Sequence, residues 1–104
     1  MDAKYQIDDT SGIITPALVV FRELLDNNIR HMIEIAGDAS RLRPHCKTHK
    51  TAEVVRLQAA QGITKQKCAT FAEAEMVAEA GCRDVCLAYN LVGPNIARAV
   101  AFRQ

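Results

Sequence analysis

The stretch Ile63-Thr64-Lys65-Gln66-Lys67-Cys68-Ala69-Thr70-Phe71, then Ala72 to Ala80, Gly81, and Val85-Cys86-Leu87-Ala88-Tyr89, decides the fold class. Its first part is short and extended. Ala72, Met76 and Ala80 recur on one helical stripe, and Gly81 stops that helix. Val85 to Tyr89 is extended again. Strand, helix and strand in this order mean parallel strands joined by a right-handed crossover.

The same unit recurs upstream. Leu42 to Cys46 is extended, because Arg43 precedes Pro44 and is pushed to β or polyproline geometry. Thr51 to Gln61 reads as a helix, with Thr51 as N-cap, Glu53 in the first turn and Gly62 as its close. From residue 42 onward the units repeat about every 20 residues. Further upstream, Leu25, Ile29, Met32, Ile33 and Ala36 share one face of a helix from Phe21 to Ala36, and Gly37 suits its C-cap. Ile13 to Val20 is β-branched and strand-like, with Pro16 at a strand start or an edge. Residues 1–12 form a polar lead-in. Downstream, Gly93-Pro94 breaks the chain and Asn95 to Arg103 begins another helix. The order β-α-β-α-β-α-β-α is α/β, in a barrel or a doubly wound sheet. A complete eight-fold barrel needs about 250 residues. The 104 residues are therefore expected to be an N-terminal fragment of a longer protein.

Composition narrows the function classes. Thirteen Lys+Arg against 12 Asp+Glu leave a net charge of +1. Such a balance gives no reason to expect nucleic acid or an anionic membrane as partner. No run of about 18 apolar residues exists. Met1 to Thr10 is polar, without the apolar core of a secretory signal, so a cytoplasmic location is expected. Cys46, Cys68, Cys82 and Cys86 are then expected to be free and mostly buried thiols. The glycines are isolated, so neither a dinucleotide fingerprint nor a P-loop is present.

The chemistry concentrates in Arg41-Leu42-Arg43-Pro44-His45-Cys46-Lys47-Thr48-His49-Lys50. On an extended chain Arg41, Arg43, His45, Lys47 and His49 share one face. One reading is a cationic strand face in a pocket, with Lys47 at the strand's C-terminal end, where parallel α/β folds place their sites. A lysine crowded by cations loses its proton more readily, which suggests Schiff-base chemistry. The other reading is a solvated basic edge or a localisation-type patch, and the run is too short to decide between them. Cys46-x-x-His49 and Cys82-x-x-x-Cys86 have spacings that zinc sites use. Yet Cys68 and Cys86 fall in strand-like stretches where Cys replaces Val, and Cys82 falls in a turn. No metal site is assigned within this chain. His31 reads as a surface residue, Met32 and Met76 as core. Glu73 and Glu75 lie two apart on a helix and read as solvated, not as a carboxylate pair.

Arg43-Pro44-His45-Cys46-Lys47-Thr48-His49-Lys50 resembles the R-P-H-x-K-T-H-K segment of the D-threonine aldolase and D-serine dehydratase group. Those are pyridoxal-phosphate enzymes with an alanine-racemase-like barrel. Thr15-Pro16-Ala17-Leu18-Val19-Val20 is similar to the group's opening segment, and Asn28-Ile29 to its first helix. Cys68-Ala69-Thr70-Phe71-Ala72-Glu73-Ala74-Glu75 is similar to its C-A-T-x-x-E-A-E segment. Asp84-Val85 with Leu87-Ala88-Tyr89-Asn90 is similar to its fourth-unit strand. The resemblance implies a partial (β/α)8 TIM-type barrel over residues 21–104. It also implies that residues 1–20 belong to a second, mostly β domain. Lys47 matches the lysine that carries the cofactor, whereas the group varies at the position of Cys46. Arg43, His45, Thr70 and Asn90 are expected to line the cofactor pocket from their strand-end positions. A divalent metal, Mn or Zn, is expected with ligands outside this chain, and a homodimer at full length. The implied activity is lysis of D-3-hydroxy amino acids, foremost retro-aldol cleavage of D-threonine to glycine and acetaldehyde. A D-serine-dehydratase-type ammonia-lyase and a non-catalytic pyridoxal-phosphate carrier of racemase-barrel type are the alternatives.

Overall fold

A computed structural model describes residues 3–103. Met1 and Asp2 of the expected lead-in, and Gln104 at the other end, lie outside them. Among the described residues four α-helices are present, α1 (Arg22–Ala36), α2 (Ala52–Ala60), α3 (Phe71–Glu79) and α4 (Pro94–Arg103). Two strands, β1 (Lys65–Cys68) and β2 (Asp84–Leu87), pair in parallel with Gln66 opposite Val85 and Cys68 opposite Leu87. A third extended segment joins them through a single parallel bridge, His45 to Lys67, with the Lys67 N–H donating to Pro44 O at 2.8 Å. The class is α/β as expected. The ladder is smaller than the four strands expected from the sequence.

The core lies between this layer and the helices. Gln66 and Cys68 alternate inward along β1, and Val85 and Leu87 do so from β2. They meet Val55 of α2, Ala74 and Val77 of α3, and the buried Cys46 and Cys82. Three of the four cysteines therefore behave as small hydrophobes, but Cys86 is exposed, contrary to the strand-as-core reading. It occupies the other parity of β2, with Asp84. Burial pushes the Cys68 thiol up to about 11, as a thiolate there would lose its hydration. Met76 packs against the core and Met32 is half-buried.

Two helix ends follow their glycines. The Gly37 N–H donates to Ile33 O at 2.9 Å with φ at 81°, a left-handed cap that a side chain would strain. Gly62, at φ 93°, also lies close under Ala39, so a side chain there would meet both strain and crowding. On α1, Ile29 is buried, and Leu25, Met32, Ile33 and Ala36 are half-buried, which is the face read from the spacing.

Three expectations need correction. Ile13 to Val20 forms no strand; the segment is irregular and exposed, bending at Thr15 and Pro16 across a cis peptide. Its backbone finds no ladder among the described residues, and propensity alone does not make a strand. Leu42 to Cys46 pairs at one residue only, because the chain turns into a 3-10 helix at Cys46–Thr48. The expected strand from Ile63 to Phe71 is shorter at both ends, since Thr70 caps α3 and Phe71 already begins it. No helix is long and apolar enough to cross a membrane among the described residues.

Candidate functional site

The strands run parallel, so their C-terminal ends lie at one edge of the layer. His45, Cys68 and Leu87 stand at or next to these ends, and the loops beyond them carry Lys47, Thr70 and Asn90. A cavity of about 230 Å³ opens there, lined by Ala69, Thr70, Phe71, Leu87, Tyr89, Asn90, Leu91, Asn95 and Arg98. Thr70 and Asn90 thus share one pocket. Its far wall is the start of α4, where Arg98 stacks over the Phe71 ring at 4.7 Å.

The cationic face read from alternation does not survive. Arg41 sits in a separate 3-10 turn and donates to Ala36 O at 2.7 Å. Arg43 points to the opposite end of the layer. Its Nη1 donates to Asp84 Oδ1 at 2.7 Å and Asp84 O at 3.1 Å, at the N-terminal end of β2. Arg43 therefore clamps strands rather than lining the strand-end pocket. Beyond His45 the 3-10 turn rotates the following side chains off the strand alternation. His45 Nδ1 accepts the Lys47 N–H at 3.3 Å and so caps that turn. Lys47 is exposed, and its amine has no partner among the described residues. His49 Nδ1 accepts the Thr51 N–H at 3.1 Å, whereas its buried Nε2 has no partner among the described residues. Burial holds its pKa below the usual histidine range. Thr51 stands at the N-cap position of α2, but its hydroxyl donates to His49 O at 2.6 Å instead of capping.

Glu73 is the residue that the sequence reading missed. It is 4 % exposed, in the first turn of α3. Its Oε1 takes the Lys50 ammonium, and its Oε2 accepts the Ala69 N–H at 2.7 Å. The Cys46 thiol lies 3.8 Å from Oε2. The Lys50 bond first, and then the Ala69 bond, hold the Glu73 carboxyl below the usual carboxylate range. A signal was available in Thr70-x-x-Glu73, a capping-box spacing. The Glu73 N–H donates to Thr70 Oγ1 at 3.2 Å, while the Glu73 carboxylate reaches back to Ala69, one residue beyond the usual partner.

His45, Cys46 and Glu73 bring three potential ligand atoms within 4.8 Å of one another. Their chemistry argues against a metal there. Glu73 is already engaged by an ammonium and an N–H, and burial, followed by the Glu73 charge, pushes the Cys46 thiol up, away from the thiolate a metal needs. Cys46→Val is accordingly expected to fold as the parent does and to hold no less zinc, because a buried swap of similar volume is tolerated. Zinc content by atomic absorption measures this; a parent protein that holds zinc and a variant that does not would make the cluster a metal centre.

D-threo-3-hydroxyaspartate dehydratase of Delftia sp. (strain HT23) is 32% identical to this chain over 91 residues, 86% of the chain and 24% of that enzyme. 3-Hydroxy-D-aspartate aldolase of Paracoccus denitrificans is 38% identical over 79 residues, 74% of the chain and 20% of the enzyme. D-threonine aldolase of an Arthrobacter species is 34% identical over 89 residues, 84% of the chain and 23% of the enzyme. The chain is homologous to these D-hydroxy amino acid lyases. The resemblance first read from the Arg43–Lys50 segment therefore holds. The chain spans about a quarter or less of the length of these relatives. No protein-family model matches the chain, and no solved structure matches it.

Proposed function

We propose that this chain is the lysine-bearing part of a pyridoxal-phosphate-dependent lyase of D-3-hydroxy amino acids. The observation that carries the reading is the difference between two neighbouring lysines. Lys50 is bound to a buried carboxylate, whereas Lys47, two residues past the His45 bridge at the strand ends, has an exposed amine with no partner among the described residues. A free primary amine is the donor that an aldehyde cofactor requires, so the residues present fit that group. When bound, the cofactor supplies an electron sink for charge developing at the substrate's Cα. Lys47 would hold the cofactor. Thr70 and Asn90 would contribute polar groups to the pocket wall, and Phe71, Leu87 and Tyr89 would help exclude water. The remainder of a (β/α)8 barrel and the second β domain would lie outside this chain.

The preferred reaction is retro-aldol cleavage. In D-threonine the Cα–Cβ bond breaks, the 3-hydroxyl gives up its proton as acetaldehyde forms, and a proton is taken up at Cα to give glycine. Dehydration is the second reading. It is favoured by the dehydratase relative, whose match spans 86% of the chain. The full-length protein should show the visible absorption of the bound cofactor. Borohydride reduction followed by peptide mapping should place the tag on Lys47. A tag on Lys50 would move the cofactor to the wrong lysine of the pair, and no tag would remove the reading. Aldehyde or oxoacid product from D-threonine, D-serine and 3-hydroxy-D-aspartate separates aldolase from dehydratase.

A further inference from the structure

Glu73 touches the chain on both sides of Lys47. Its Oε2 lies 3.8 Å from the Cys46 sulfur, and its Oε1 binds the Lys50 ammonium. Between these anchors the turn closes on itself. The Lys50 N–H donates to Cys46 O at 2.8 Å, and the His49 N–H to the same oxygen at 3.3 Å. Lys50 closes it at φ 49°, a left-handed conformation that a side chain disfavours and that something must hold. The same carboxylate also accepts the Ala69 N–H, which ties the turn to the end of β1 and the start of α3. Glu73 is itself 4 % exposed, so this anchor is fixed by packing while the lysines are open to solvent.

We infer that Glu73 is a positioning residue for Lys47: its buried carboxylate pins Cys46 and Lys50 on either side, withdraws the Lys50 amine from reaction and leaves the Lys47 amine presented. The inference rests on the lyase reading for the role of Lys47. The pinning itself rests on Glu73's contacts alone. Glu73 does not touch the Lys47 amine; it meets the cavity lining only at the Ala69 N–H and the Thr70 hydroxyl, so it acts on Lys47 through the turn. Selection between the two lysines is then made by a charge pair. Of the two lysines only Lys50 is held by the carboxylate, and that contact withdraws it from nucleophilic work.

The test is competitive acetylation of the full-length protein stripped of any cofactor, with trace acetic anhydride, mapped by mass spectrometry. Lys50 should label about tenfold more slowly than Lys47, because its amine is engaged by the buried Glu73 carboxylate. Glu73→Gln keeps the shape and removes the charge. Labelling at Lys50 should then rise about tenfold toward that of Lys47. In the cofactor-loaded variant the borohydride tag should divide between the two lysines. Equal labelling of Lys47 and Lys50 in the parent protein would overturn the inference, as would an unchanged Lys50 rate in folded Glu73→Gln. If Glu73→Gln does not fold, Lys50→Gln removes the same bond from its exposed end. Amide hydrogen exchange at position 50 should then speed up by about tenfold, and unchanged exchange overturns the inference. Acetylation needs no cofactor. A protein whose lysines carry no cofactor would sink the lyase reading, while the labelling ratio would still decide this one.

Discussion

Lys47→Ala in the full-length protein is expected to lower turnover by about 10³-fold or more while the fold persists. The side chain is exposed and makes no contact with a partner among the described residues, so its removal deletes no core packing. The stability change should stay within about 0.5 kcal/mol, as for surface substitutions generally. Lys47→Arg should fail equally, because a guanidinium stays protonated at working pH and offers no nucleophilic lone pair. Lys50→Ala is the informative comparison. It leaves Lys47 in place but strips the buried Glu73 carboxylate of its ammonium partner. A partial loss is expected, through the turn rather than through the chemistry. Initial rates on D-threonine and 3-hydroxy-D-aspartate measure the effect, with circular dichroism to confirm folding. A folded Lys47→Ala protein with near-parent rates would remove Lys47 from the cofactor.

The order of these elements was legible because strand, helix and glycine stop leave local signatures. Gly37 after a periodic face, and Gly62 and Gly81 after the next two helices, mark ends that the structure keeps. Pairing was not legible in the same way. Ile13 to Val20 has the composition of a strand, but a strand also needs a partner, and none is described. The face assignment of Arg41, Arg43, Lys47 and His49 failed because strict alternation was assumed through a segment that turns at both ends. Glu73 was missed for a different reason. On a helix its spacing from Glu75 says solvent, and only the capping relation to Thr70 says otherwise. Its partners include Cys46 and Lys50, 27 and 23 residues away in sequence. No periodicity carries that information.

The isolated 104-residue chain should fail to melt cooperatively and should bind a hydrophobic dye such as ANS. Its Cα radius of gyration is 16.2 Å, whereas a compact domain of this length has about 13 Å. Many of its apolar groups also cover nothing. Ile14 is 89 % exposed, Ile35 75 % and Leu18 69 %, and Tyr89, Val92 and Val100 stand mostly in solvent as well. The core cluster holds six small or medium side chains, among them three cysteines and one alanine. A core that small cannot offset the backbone entropy of about 100 residues at roughly 1–2 kcal/mol each. Both parallel strands also keep unpaired outer edges beyond the single bridge at His45, which invites association between chains. Differential calorimetry and near-ultraviolet dichroism are the measurements: a broad, low-enthalpy transition for the isolated chain and a sharp one for the full-length protein. A sharp two-state melt of the isolated chain, with calorimetric and van't Hoff enthalpies equal, would show that these faces need no partner.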